Sequence, residues 1–405
     1  VVSARVGTRA RNALVVTEIG LAVILLVGAG LLLRSFLHLQ RTELGFDTRG
    51  ILSFQLSLPD NRYAEPLQAQ AYYANLLDVI RAIPGVQSTG AIFGLPLTGF
   101  GFSISVHDRD GRDLTPEESR GPSPQVRIVT PDFFRTLGIP VMRGRGFTPN
   151  DRIGAPPVVV LNESAAKLIW PDADALGRRF SIGTRMGLGG ERLGGEVVGI
   201  VPDIRARGPV SSPQPTAYFA HLQFPVGFMA VAVRTAGDPA TLVAPARRAV
   251  VAADPEVPLF RVRTMDELAT AVVAQPRFYS LLLGLFAGVA LLLAAVGIYG
   301  VMAQAVARRT PEIGLRLALG AQARDVLGMV VGDGIRLAGI GVALGVAGAV
   351  AGSRLVVSLL YGVRPLDAVT FVAVPLALLG VAVAASYLPA RRAARVDPMM
   401  ALRTE

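Results

Sequence analysis

The residues able to do chemistry are few and scattered. Lys167 is the single lysine in 405 residues and sits in "SAAKLIW". A nucleotide phosphate loop needs a lysine directly after glycines, so that backbone N–H groups and an ammonium hold the phosphates. Lys167 has no such glycines before it, and its surroundings read as a helix. "MGLGGERLGG" (186–195) is glycine-rich but lacks G-x-G-x-x-G spacing, and a hairpin loop is the expected structure. His38, His107 and His221 are far apart, with no zinc-binding H-E-x-x-H pattern. There is no cysteine, hence no thiolate nucleophile, disulfide or thiolate metal site. A G-x-S-x-G elbow is absent. Asp172 and Asp174 lie close together in "WPDADALG", where a surface turn explains them. The expectation is therefore no enzyme activity, no metal and no cofactor.

What remains is charge in unusual places. Asp333 and Arg336 interrupt an apolar run, and ionisable residues inside a membrane are functional candidates by default. Three positions apart on a helix, they share a face and can neutralise each other. An internal ion pair is expected, with a substrate site as the other reading. Glu312 and Arg316, four apart, form a second charged pair.

The elements that must position these residues are long and apolar. A helix needs about 20 apolar residues to cross a bilayer core. Four segments qualify: 14–33, broken only by Glu18; 278–307, without charge; 326–353, carrying Asp333 and Arg336; and 368–390, without charge. Hydrophobic residues make up 51% and charged residues 17%, the latter well below the roughly 25% of soluble domains. The first segment shares a basic start and small residues with a signal peptide, but "LLL" continues past the small residues, which favours a retained helix.

The net charge of +10 is distributed beside these segments. Arg5, Arg9 and Arg11, then Arg308, Arg309, Arg316 and Arg324, then Arg391, Arg392, Arg395 and Arg403 follow the positive-inside pattern. Residues 1–13, the loop 308–325 and the tail 391–405 are placed in the cytoplasm, and 34–277 outside. Without aromatic interleaving or a recognition motif, the same arginines do not read as a nucleic-acid surface.

The external region is large enough for a core of its own. "GILSFQLSL" alternates as a strand, "EPLQAQAYYANLLDVIRAIPG" is a helix stopped by Pro-Gly, and "VQSTGAIF" is a second strand. "FMAVAVRT", "DPATLVAPARRAVVAAD" and "VPLFRVRT" repeat that order, with Asp238-Pro239 as cap and first turn. The expected fold is α-helical in the membrane with four spans. Between spans one and two lies a large α/β (α+β) domain of two subdomains: a split βαβ unit (34–99 and 226–277) and an insertion (100–225) of short strands and small helices.

The stretch "ARRTPEIGLRLALGA" (307–321) lies between two spans. Thr310 suits a cap, Pro311 a first helical turn and Gly320 a stop, so a short amphipathic helix at the inner membrane surface is expected. The stretch is similar to the E-I-G-x-R-x-A-x-G-A signature of MacB/FtsX-like ABC transporter permeases. "YLPARRAARVDPMMALRTE" resembles that family's C-terminal signature. "RTLGIPVMRGRGFT" and "EVVGIVPDIR" resemble its periplasmic core domain. The likeness covers essentially the whole chain. It is nearest to the duplicated permeases, which implies one half, the C-terminal one; a single-half permease is the other reading.

The resemblance implies a bacterial inner-membrane permease with a periplasmic core domain. Its implied partners are a cytoplasmic ABC ATPase subunit, a second permease half or a second copy, and a periplasmic adaptor. Pro311, Glu312, Ile313, Gly314, Leu315, Arg316, Leu317 and Leu319 would form the coupling helix. Through it, ATP hydrolysis would move the periplasmic domain and export a drug, peptide or lipoprotein. The other function it implies is a non-transporting signalling scaffold that regulates a cell-wall hydrolase.

Overall fold

The computed structural model describes residues 2–183, 192–318, 322–357 and 360–393. They form two compact units, one of residues 42–274 and the other of 1–41 with 275–405.

In the first unit the chain runs β1 (Ile51–Ser57), α2 (Pro66–Arg81), β2 (Val86–Phe93), β3 (Val106–Arg109), β4 (Arg112–Asp113), β5 (Gln125–Val129), α3 (Phe133–Leu137), β6 (Arg143–Gly144), β7 (Val158–Asn162), α4 (Glu163–Ile169), β8 (Arg179–Ile182), β9 (Leu193–Val201), β10 (Thr216–Ala220), β11 (Phe228–Thr235), α5 (Val243–Ala253) and β12 (Leu259–Thr264). In the second, α1 (Val2–Arg41) precedes α6 (Met265–Ala318), α7 (Ala323–Val356) and α8 (Ala368–Ala393); α6 begins within the first unit.

Among the described residues one sheet holds twelve strands, in the order β12-β1-β11-β2-β5-β10-β7-β9-β8-β3-β4, with β6 paired to β9. The first four strands interleave the two strand–helix–strand segments as a ferredoxin-like split βαβ unit. β1 pairs antiparallel with both β11 and β12. The inserted subdomain joins this sheet edge-on, through Ile92↔Val129 and Phe93↔Ile128.

The period-two alternation of the strands sorts their side chains onto two faces. Leu52, Phe54, Leu56, Met229, Val231 and Val233 face α2 and α5. Val126, Val159, Leu161, Ala217 and Phe219 face α4. The opposite faces of the same strands, including Ile51, Ile92, Val129, Val160 and Tyr218, share one core with α3. A single core on one side of the sheet and two on the other join the two lobes.

Local signals place the helices. Asp238 accepts from Ala240 N–H at 2.9 Å, capping the 3₁₀ turn Pro239–Leu242 that leads into α5. Asn162, fully buried, caps α4 by accepting from Ala165 N–H at 3.0 Å. It also accepts from Thr216 N–H at 2.7 Å and donates to the Gln214 carbonyl at 2.8 Å. One side chain thus closes a helix start and a strand start.

The two stretches quoted for the core-domain likeness meet in space. Arg143 and Gly144 pair with Ile200 and Gly199, flanked by Met142 N–H to Ile200 O (2.9 Å) and Arg145 N–H to Val198 O (2.8 Å). Gly144 has φ +71°, and a Cβ on Gly199 would sit 2.1 Å from the Arg145 carbonyl oxygen. The motif is therefore a close backbone crossing that excludes side chains at these glycines. It holds the fold and offers no chemistry.

Among the described residues, four helices are long and apolar enough to cross a membrane: 11–41, 265–310, 324–354 and 368–392. α1 and α7 pack most intimately, because Gly341 and Gly345 remove Cβ atoms at the contact. An added Cβ would stand 2.7 Å from Ile19 Cβ at Gly341, and 2.5 Å from Val23 Cβ at Gly345. This small-x-x-x-small spacing replaces the hydrophobic effect, which is absent between helices in lipid, with backbone-close van der Waals contact. At the other end of the bundle Arg34 of α1 ion-pairs with Asp367, which caps α8 by accepting from Thr370 N–H at 2.9 Å.

Candidate functional site

The charged stretch after the second span is not the separate interfacial helix that Thr310, Pro311 and Gly320 suggest. α6 continues through it from Met265 to Ala318. Thr310 does not cap; its hydroxyl donates back to the Val306 carbonyl at 3.0 Å inside the helix. Pro311 lacks the N–H of the next rung, a loss that a helix anchored on both sides of the proline tolerates. Past Ala307 the helix runs on for roughly 16 Å, at 1.5 Å per residue.

Its partner is the start of α7. Ile313 (3% exposed) and Val326 (2%) bury each other, with Val306 packed alongside. Arg316 lies 3.4 Å from the Met329 sulfur and donates to Glu312 at 2.6 Å. Gln322 N–H donates to Asp325 at 3.0 Å, which places a carboxylate in the first turn of α7, where the helix dipole favours it. The site is a helical hairpin with an apolar seam and a charged exterior. Pro311, Gly314, Leu315 and Leu317 lie on its first arm; Leu319, Gly320 and Ala321 lie outside the described residues.

The expected pair within α7 is also different. Asp333 pairs with Arg309 of α6 at 3.0 Å, both side chains about half exposed, and among the described residues no ion pair joins Asp333 to Arg336. The cross-helix partner wins because it also ties the hairpin arms together. Around this pair lies a cavity of about 390 Å³ whose lining includes Arg11, Arg308, Arg336 and Gln304.

The other candidates are spread over the periplasmic-type unit or the far end of the bundle. His221 is buried against Tyr73, ring centroids 5.4 Å apart, and burial lowers its pKa to about 4. His107 stands 3.5 Å from Asp113. His38 packs against Gly362. Asp174 pairs with Arg143, and Asp172 is exposed. Lys167 lies on α4. Of the 186–195 loop, 186–191 lie outside the described residues; of the C-terminal stretch, 394–405 do.

Comparison with known proteins decides the family. The model of the MacB-like periplasmic core domain matches residues 15–253, more than half the chain, and that of the FtsX-like permease C-terminal region matches 284–398. The chain belongs to the MacB/FtsX-like ABC permease family. It is a multi-pass inner-membrane protein with its α/β domain in the periplasm, so the arginine-rich ends of the spans are cytoplasmic. Among curated relatives, the macrolide export ATP-binding/permease protein MacB of Chromobacterium violaceum is 29% identical over 68% of this chain and 42% of its own length. The pyoverdine export ATP-binding/permease protein PvdT of Pseudomonas putida is 28% identical over 67% of this chain and 42% of its own. The MacB of Rhodospirillum rubrum is 38% identical over a shorter stretch, 36% of this chain and 22% of its own. The chain thus spans less than half the length of these relatives. The periplasmic region of MacB from Actinobacillus actinomycetemcomitans aligns over 57% of this chain and 95% of its own, at 14% identity and TM-score 0.37.

Proposed function

We propose that this permease couples ATP hydrolysis on a separate cytoplasmic ATPase to movement of its periplasmic domain, in the service of export. The observation that carries the reading is the hairpin: an apolar seam sealed by Ile313 and Val326, with Glu312 and Arg316 turned outward beyond the span. A loop that only obeyed the charge rule would need no such seam. Its first arm, Pro311, Glu312, Ile313, Gly314, Leu315, Arg316 and Leu317 with Leu319 beyond, is the proposed ATPase contact. Export is favoured over signalling because the relatives above are named for macrolide and pyoverdine export. A drug, peptide or lipoprotein is the proposed cargo class. A second permease half or a second copy completes the membrane part, and a periplasmic adaptor is a further partner.

The test is co-purification of the ATPase with wild type and with Glu312→Arg at matched membrane levels. The exposed Glu312–Arg316 pair contributes only a few tenths of a kcal/mol to the helix, so the variant should insert and fold. An unpaired charge at a docked interface costs about 2–5 kcal/mol, so ATPase recovery should fall more than tenfold. Equal recovery sinks the docking role. The 405-residue chain itself, lacking a phosphate loop, should show no ATP hydrolysis; activity that stays with it through purification refutes that.

A further inference from the structure

The cavity at the cytoplasmic end of the bundle holds an arrangement that ATPase docking does not use. Arg11 of α1, Arg308 and Arg309 of α6 and Arg336 of α7 converge on one space of about 390 Å³, with Asp333 as the only carboxylate among the described lining residues. Asp333 is engaged with Arg309 at 3.0 Å. Arg309 and Asp333 neutralise each other, and among the described lining residues Arg11 and Arg336 face no further carboxylate, which leaves a positive excess. In a site at the edge of the membrane, such an excess is balanced by an anion. The volume, equal to roughly a dozen waters, has room for a phosphodiester.

The rest of the lining selects the source of that anion. Val301, Met302, Leu337 and Ile340 make one wall apolar. Arg336, Ile340 and Leu344 recur every four positions on α7 and so lie on one helical face. Ile340 and Leu344 are 49% and 61% exposed, and they run from the cavity toward the apolar middle of the span. A polar end that takes a phosphate and an apolar track that takes a chain fit an amphiphile and not a soluble ion. The level agrees, because the charged residues stand where the apolar runs of α1 (14–33, broken only by Glu18) and α6 (278–307) end, at the depth of lipid headgroups.

We propose that this cavity binds the headgroup phosphate of an anionic phospholipid from the inner leaflet, with the lipid's acyl chain laid along Ile340 and Leu344. Basic pockets between spans on the cytoplasmic side take anionic headgroups, each cation contributing about fivefold in affinity. Guanidinium forks suit phosphate oxygens through paired N–H donors. The lipid would bridge α1, α6 and α7 beside the hairpin, so its occupancy would tune the stiffness of that end.

The experiment is native mass spectrometry of the full chain in detergent. It is titrated with phosphatidylglycerol or phosphatidylethanolamine of the same acyl chains, and with inorganic phosphate as competitor. Wild type should retain one phosphatidylglycerol in preference to phosphatidylethanolamine, and millimolar phosphate should not displace it. Arg11→Gln with Arg336→Gln should weaken retention roughly 25-fold, at about fivefold per charge. Asp333→Asn gives a readout that misfolding cannot imitate: loss of the opposing carboxylate should tighten retention about fivefold. Equal retention of the two lipids, no change in the double variant, or weaker binding by Asp333→Asn would each overturn the proposal. Full displacement by inorganic phosphate would overturn the lipid source in favour of a soluble anion.

Discussion

At the residue scale the chain uses its polar side chains as joints, and His221 shows what that costs. Its ring lies between Tyr73 and the Val226 carbonyl, and burial holds the pKa near 4, against about 6.5 for an exposed imidazole. The folded state therefore prefers neutral His221, while the unfolded chain takes up a proton below about pH 6.5. The stabilisation is fully present above that pH and is lost as pH falls toward 4, by roughly 3 kcal/mol across the window. Urea unfolding of the periplasmic domain, followed by fluorescence of the single tryptophan, buried Trp170, should show a midpoint that drops between pH 7 and 5. His221→Phe should flatten that part of the profile; an unchanged slope would show that His221 does not set it. Asn162 belongs to the same class. Asn162→Ala leaves buried Ala165 and Thr216 N–H groups without acceptors, and about 2–4 kcal/mol of stability should go with them. The distant half of each role, His221 against Tyr73 and Asn162 with Thr216 and Gln214, was not legible in the sequence, because it exists only once segments far apart in the chain lie side by side.

At the scale of elements, legibility followed the range of the interaction. The spans were plain from local apolar length, and Asp238-Pro239 and Pro84-Gly85 marked a helix start and stop, because these signals act within one turn. Thr310 and Pro311 misled for the same reason. They carry a local start signal, but the helix of the span is already formed, and the Ile313–Val326 seam holds its continuation in place. Asp333 was matched to its neighbour Arg336 by spacing, whereas Arg309 reaches it across the hairpin. The glycines of α7 went unread as a packing surface, although their spacing was visible. They supply a sharp contrast for mutation. Gly345→Ala places a Cβ 2.5 Å from Val23 Cβ, a rigid atom, and should disrupt α1–α7 packing, seen as reduced yield and lower thermal stability in detergent. Gly339→Ala meets nothing within 4 Å and should be tolerated, with a gain in helix propensity of up to about 1 kcal/mol. Equal behaviour of the two would remove the close-packing account.

At the scale of the whole molecule, absence of cysteine makes topology directly measurable. A single cysteine at exposed position Pro149 should react with an impermeant maleimide in intact spheroplasts, and one at Ala321 only after permeabilisation. Labelling of Ala321 from outside would reverse the orientation. The split βαβ order was visible as two repeated segments, but the shared sheet was not, because strand order depends on pairings between residues far apart in the chain. That distance has a consequence for biosynthesis. Ile51 pairs with Arg234, roughly 180 residues later, and translation at about 5–20 residues per second needs on the order of 10–40 s to deliver it. For that interval β1 has crossed the membrane without either of its neighbours, β11 and β12, and Leu52, Phe54 and Leu56 have no core to enter. A newly made periplasmic domain thus exposes an unpaired strand edge and an uncovered apolar face until its last two strands arrive.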